Sequence, residues 1–163
     1  MRRPNLQAGV VALVLALTST SAFAADAEVR KISSAEDWSV FQTTLNGEPL
    51  CWATTRPFEM SKGTAELNPH ISYAVGYDQL SVTLEGGKSP SLIGFLSVGP
   101  QEYPMLFRGS HGWLSNRLPD QVFEKAAGNQ RFAYISVGAN SFSFSLSGFY
   151  EAIGQARVAC GLE

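Results

Sequence analysis

Ser141-Phe142-Ser143-Phe144-Ser145-Leu146 decides the fold class of this chain. Three apolar side chains alternate with three serines, a period of two that puts the apolar set on one face of a strand. The same alternation recurs upstream. Ile71, Tyr73, Val75 and Tyr77 face Ser72, Ala74 and Gly76, and Leu80, Val82 and Leu84 alternate with Ser81, Thr83 and Glu85. Strands that are apolar on one side only belong to antiparallel sheets with one face on a core.

Reading outward from these segments gives the remaining elements. Gly138-Ala139-Asn140 turns the chain between strands predicted over Arg131–Val137 and Ser141–Leu146. Asn46-Gly47, the strongest two-residue hairpin signal, joins a strand over Trp38–Leu45 to one over Leu50–Thr55. Leu92–Val98 is apolar almost throughout and reads as a central strand, while Tyr103–Phe107 and His111–Leu114 flank a turn at Gly109. Residues 25–35 read as a loose polar leader, and residues 57–70, with Pro57, Gly63 and Pro69, as a loop. Short strands at spacings of about 8–12 residues favour a sandwich or barrel over alternating βαβ units.

Two helices are expected. Pro119 suits a first helical turn, Asp120 sits near its positive end and Gly128 supplies a C-terminal cap, with Val122, Phe123, Ala126 and Ala127 on one face. From Phe149, the apolar positions Ala152, Ile153, Ala156, Ala159 and Cys160 fall on one helical face, and Gly161 ends the run. That face carries Cys160 towards the core.

Residues 1–24 have the three parts of a secretory signal: Arg2 and Arg3, an apolar run from Ala8 to Leu17, and a small-residue end at Ala22-Phe23-Ala24. The apolar run is about half of what a bilayer span requires, so no transmembrane segment is expected after cleavage. The mature part, Ala25–Glu163, is the length of one domain. An exported chain lives where thiols pair, and Cys51 and Cys160 allow a single intramolecular bond. The intramolecular bond is expected, with two free thiols or intermolecular bridges as the alternatives. There is no Cys-x-x-Cys spacing for redox catalysis.

The formal charge of −2 for the chain, more negative once Arg2 and Arg3 leave, is scattered and shows no basic stripe, which argues against nucleic acid. Chemistry is equally sparse. The two histidines, His70 and His111, stand 41 residues apart, poor material for a metal site. No Gly-x-Ser-x-Gly elbow occurs, and Gly86-Gly87-Lys88-Ser89 lacks the upstream glycine of a phosphate loop, since position 82 is Val82. No cofactor is expected. The aromatics Trp38, Trp52, Trp113, Tyr73, Tyr77, Tyr103, Phe107 and Tyr150 serve either the core or a binding platform. Trp113, in the turn-rich Arg108-Gly109-Ser110-His111-Gly112-Trp113, is the one expected at the surface, which makes Arg108, His111 and Trp113 the candidate partner-binding residues.

Taken in order, Asp37-Trp38-Ser39-Val40, Cys51 after a hairpin, Gly112-Trp113-Leu114 before an alanine-rich helix, and Phe144-Ser145-Leu146-Ser147-Gly148-Phe149 followed by Ala152 and Ala159-Cys160 resemble the invasion-associated locus B family of bacterial secreted proteins. Where members of that family carry a longer turn before the last strand, this chain has only Gly138-Ala139-Asn140. The resemblance implies an immunoglobulin-like antiparallel β-sandwich with a short helix and a C-terminal helix tied on by the Cys51–Cys160 disulfide, with Trp38 and Phe149 packed in the core. It implies export by a Gram-negative cell to the periplasm, the outer membrane or the medium, and in some pathogens a link to host-cell invasion. The expectation is thus a non-enzymatic envelope protein that binds an unknown protein or envelope component, through a sheet edge or the loops around 57–70 and 108–117. An envelope-polymer hydrolase and a carbohydrate-binding module are the alternatives.

Overall fold

The computed structural model describes residues 28–61, 65–77, 79–115, 125 and 127–162. Its strands are β1 (Arg30–Ala35), β2 (Trp38–Leu45), β3 (Glu48–Thr55), β4 (Glu59–Met60), β5 (Pro69–Ala74), β6 (Gln79–Leu84), β7 (Ile93–Val98), β8 (Gln101–Arg108), β9 (His111–Leu114), β10 (Phe132–Val137) and β11 (Asn140–Ser145). One helix, α1 (Phe149–Ala159), follows them. The signal segment over residues 1–24 lies outside the described residues. So does most of the helix read from Pro119; Lys125 and Ala127 within it are helical, and Ala127 is buried.

Local chemistry accounts for the register. Asn46 and Gly47 both take positive φ, 54° and 87°, the geometry that a two-residue hairpin turn needs. Counting out from that turn pairs Leu45 with Glu48, Phe41 with Trp52 and Ser39 with Thr54. The serine-rich strand pairs as its alternation requires, Phe144 opposite Ala133 and Phe142 opposite Ile135, all four buried.

Every described strand belongs to one antiparallel sheet, in the order β1-β2-β3-β5-β6-β9-β8-β7-β10-β11-β4. Twisted sheets of this width do not stay open; they curl over their apolar face. Here the Trp38 indole nitrogen, on β2, donates to the Ser145 carbonyl of β11 at 3.0 Å. Eight strand steps of ~4.8 Å would hold these strands about 38 Å apart in a flat sheet. The two arms of the sheet therefore face each other across one core, the β-sandwich arrangement made from a continuous sheet.

The segment read as a polar leader is in part a strand. Residues 30–35 pair with β2, with a register shift between Lys31 and Ser33. Its exposed, charged residues carry no apolar alternation, so the pairing comes from the neighbour rather than from the segment itself. Both sheet edges are protected: β1 carries Arg30, Lys31 and the irregularity, and β4 is two residues long. Tyr77 also departs from its expected inward position, because β5 ends at Ala74 and Tyr77 is exposed in the turn.

Helix α1 lies on the inner face of β1, β2 and β3. It buries Phe149, Ala152, Ile153 and Ala156, the face foreseen from their spacing. Phe149 meets Trp38 with ring centroids 4.9 Å apart and Tyr73 edge-on at 5.8 Å. Gln42, inward on β2, donates through Nε2 to the Ala159 carbonyl at 3.0 Å. Cys160, next along, closes the disulfide to Cys51 of β3 with Cα atoms 6.0 Å apart. The chain enters the helix through Gly148 at φ 83°, where a Cβ would stand 2.1 Å from the Ala35 carbonyl oxygen. Only glycine fits there, for backbone conformation and for space.

Candidate binding surfaces on the outer face of the sheet

Among the described residues the inward positions fill the core, and two regions of the outer face carry concentrated chemistry. The first lies on β7, β8 and β9. Leu106 pairs with Trp113 on one side and with Ile93 on the other; Phe95 pairs with Pro104. Leu106 and Ile93 are 51% and 53% exposed, values that put large aliphatic side chains in water at the centre of a sheet. Leu92, Phe95 and Tyr134 are exposed beside them. Large apolar side chains gathered on an outer sheet face make this region a candidate docking surface.

The three residues singled out in the sequence stand together at one end of this patch. Arg108 is paired with His111 across the β8–β9 turn. The His111 ring stacks on Trp113 at 5.9 Å and 16°, and its Nδ1 lies 2.9 Å from the Ser110 hydroxyl. Trp113 is half-buried and outward-facing. The glycine between them, Gly112, faces inward under the Phe107 ring, where a Cβ would come within 2.5 Å of ring carbons. Gly112 thus lets Phe107 into the core while keeping His111 and Trp113 outside.

The second region, on β2, β3 and β5, was not foreseen as a unit, although Trp52 was among the aromatics weighed for a binding platform. It is a cleft of about 510 Å³ lined by Phe41, Trp52, Ser39, Thr54 and Ser72 along the strands, with Asp37, Arg56, His70 and Glu85 at one end. Phe41 and Trp52, direct cross-strand partners, stack at 5.7 Å and 16°. Thr54 Oγ1 donates to the Ile71 carbonyl at 2.8 Å and lies 2.9 Å from the Ser72 hydroxyl, which donates to it.

Glu85 organises the charged end. It accepts from the Asn68 side-chain amide, stands 3.7 Å from Arg56 and 3.6 Å from His70 Nδ1. Burial holds the His70 pKa below its ordinary 6.5, against the pull of Glu85 in the other direction, with Arg56 and His111 adding to the depression. At neutral pH the ring is therefore neutral, and its approach to Glu85 is a contact of a neutral imidazole rather than an ion pair.

A signal for this cleft was present in the sequence. Cys51 must face inward to meet the helix, so Trp52 must face outward, and the Asn46-Gly47 turn places Phe41 opposite it. Among the described residues no group of three or more His, Cys, Asp and Glu is placed to hold a metal ion. No helix among them is long and apolar enough to cross a membrane.

Comparison of the chain with protein-family models, curated proteins and solved structures finds no match.

Proposed function

We propose that this chain is an exported, non-catalytic binding protein of the bacterial envelope, which captures a protein partner through the outer face of β7, β8 and β9. The observation that carries this reading is the outward row of half-buried Trp113 and exposed Leu106 and Ile93, flanked by exposed Phe95 and Tyr134. Tryptophan, tyrosine and arginine dominate the energetic centres of protein interfaces, and Trp113, Tyr134 and Arg108 surround an aliphatic middle here. The rim holds Glu102 as well as Arg108, and the chain is net acidic, so an anionic lipid surface is a poorer fit than a protein.

Export to the periplasm or beyond rests on the signal-like residues 1–24 and on the disulfide. The motif resemblance to invasion-associated locus B proteins supports the same compartment and makes envelope maintenance or host-cell contact the setting of the interaction.

Photocrosslinking in cells tests the surface. A crosslinker at position 106 is expected to give discrete protein adducts, and one at position 158, exposed on the helix, is expected to give none. Equal adducts at both positions, or none at 106, sink the reading. Protease digestion of intact and permeabilised cells tests the compartment: cleavage in neither condition rules out the envelope.

A further inference from the structure

We propose that the cleft over β2, β3 and β5 is a saccharide-binding site, distinct from the protein-docking face on β7, β8 and β9. The size of the cleft admits that ligand class, and four features converge on it. A volume of about 510 Å³ falls within the range of small-molecule sites and holds a short run of sugar rings. Phe41 and Trp52 line it as a stacked pair on the outer face, where the core makes no demand for aromatic bulk. Aromatic faces carry negative charge density, which attracts the polarised C–H groups on the flat side of a pyranose.

The hydroxyl groups supply the second feature. Ser39, Thr54 and Ser72 lie on adjacent strands in one row, Ser39 opposite Thr54 and Thr54 opposite Ser72. Thr54 has its hydrogen committed to Ile71, and Ser72 donates to Thr54, so both orientations are fixed before a ligand arrives. Ser72 keeps its lone pairs for an incoming donor, and the Ser39 hydroxyl makes no hydrogen bond to any described residue. A preset row of hydroxyls beside an aromatic shelf suits a ligand that is itself hydroxyl-rich with one apolar face.

The charged end is the third feature and it narrows the class. Arg56 is a donor, the Asp37 and Glu85 side chains are acceptors, and a neutral His70 offers one of each. A phosphate or nucleotide would meet two carboxylates with a single cation, an unfavourable balance. A lipid tail would meet a hydroxyl-lined wall. Mixed donors and acceptors with one carboxylate in excess match the hydroxyl and amide groups of a neutral glycan and disfavour an anionic one.

Openness is the fourth. The cleft runs along the outer sheet surface instead of ending in an enclosed cavity, and Val29, just before β1, forms one side. Such a groove accepts an internal segment of a long polymer as well as a free end.

The test uses the disulfide-bonded protein and an array of oligosaccharides with hexose, N-acetylhexosamine, heptose and uronate backbones, with an extended peptide library as control. Tryptophan emission and isothermal titration follow binding of each array member that is retained. At least one neutral oligosaccharide class is expected to bind and the uronates are not, with Trp52→Ala weakening the bound class by about tenfold or more. Ser39→Gln, which fills the cleft without disturbing the aromatic pair, is expected to weaken the same ligand with an unchanged melting temperature. Failure of the whole array, binding that survives both substitutions, or capture of peptides alone overturns the assignment. Leu106→Asp leaves saccharide binding intact, so loss of one surface is read separately from loss of the other.

Discussion

Trp38 and Ser145 join the two arms of the sheet, the indole N–H of one donating to the backbone carbonyl of the other at 3.0 Å. The two residues are 107 positions apart in the chain and both are buried. The bond satisfies the single polar atom of the largest core side chain and fixes where the curled sheet meets itself.

Trp38→Phe leaves the Ser145 carbonyl without that donor and opens a gap the size of the lost ring. A destabilisation of about 2–4 kcal/mol is expected, combining the orphaned acceptor with the cavity. Urea unfolding followed by far-UV circular dichroism measures it. A loss below ~1 kcal/mol would mean that the sheet closes without this contact.

The disulfide ties residues 109 apart, and the chain-entropy model assigns such a loop about 4–5 kcal/mol. Replacing both cysteines by serine is expected to cost most of that, and reductant is expected to bring the wild type to the same midpoint. Cys51 has no exposed surface while Cys160 is partly exposed, so exchange that precedes lifting of the helix must begin at the Cys160 sulfur. Alkylation of reduced and oxidised samples under native conditions checks the order of events.

His70 gives a pH dependence of defined sign. Its folded pKa lies below the ordinary 6.5, so in the window beneath 6.5 the unfolded chain binds a proton that the folded one refuses. Its contribution is fully present above pH 6.5, declines as pH falls and is gone below the folded value. Melting temperatures measured between pH 8 and pH 5 should therefore fall more steeply in the wild type than in His70→Gln. Parallel curves would show that burial of the ring does not govern its titration.

Trp113→Ala is expected to weaken capture of the protein partner while leaving the melting temperature nearly unchanged, because the side chain faces outward on a short strand. Leu106→Asp should act more strongly on capture, since a carboxylate at the centre of an apolar contact must be desolvated. Crosslinking yield and thermal unfolding, measured side by side, separate the two effects. A large drop in stability for Trp113→Ala would assign that ring to packing.

Much of this molecule is legible in its sequence because its signals are local. Asn46-Gly47 sets a hairpin, Ser141–Leu146 alternates cleanly and the Phe149-Ala152-Ile153-Ala156 stripe faces the core, all as their spacing requires. What escaped depends on neighbours. Arg30–Ala35 has no pattern of its own and is a strand because β2 offers an edge. The grouping of Arg108, His111 and Trp113 followed from one tight turn, whereas the cleft needed β2, β3 and β5 brought side by side. His70 and Glu85 meet only after β5 and β6 pair, which no spacing in the chain announces.

A ribosome delivers this chain in one direction, and the curled sheet gives that direction a cost. When residue 100 has emerged, β2 and β3 are complete, yet the strand that Trp38 must reach and the helix that covers Cys51 are still missing. Contacts of such long range make β-proteins slow to fold. Every partly made molecule therefore shows an uncovered apolar face and a lone thiol, the state that aggregates or mispairs. A holding chaperone during synthesis and a thiol oxidant acting afterwards are the help this topology calls for.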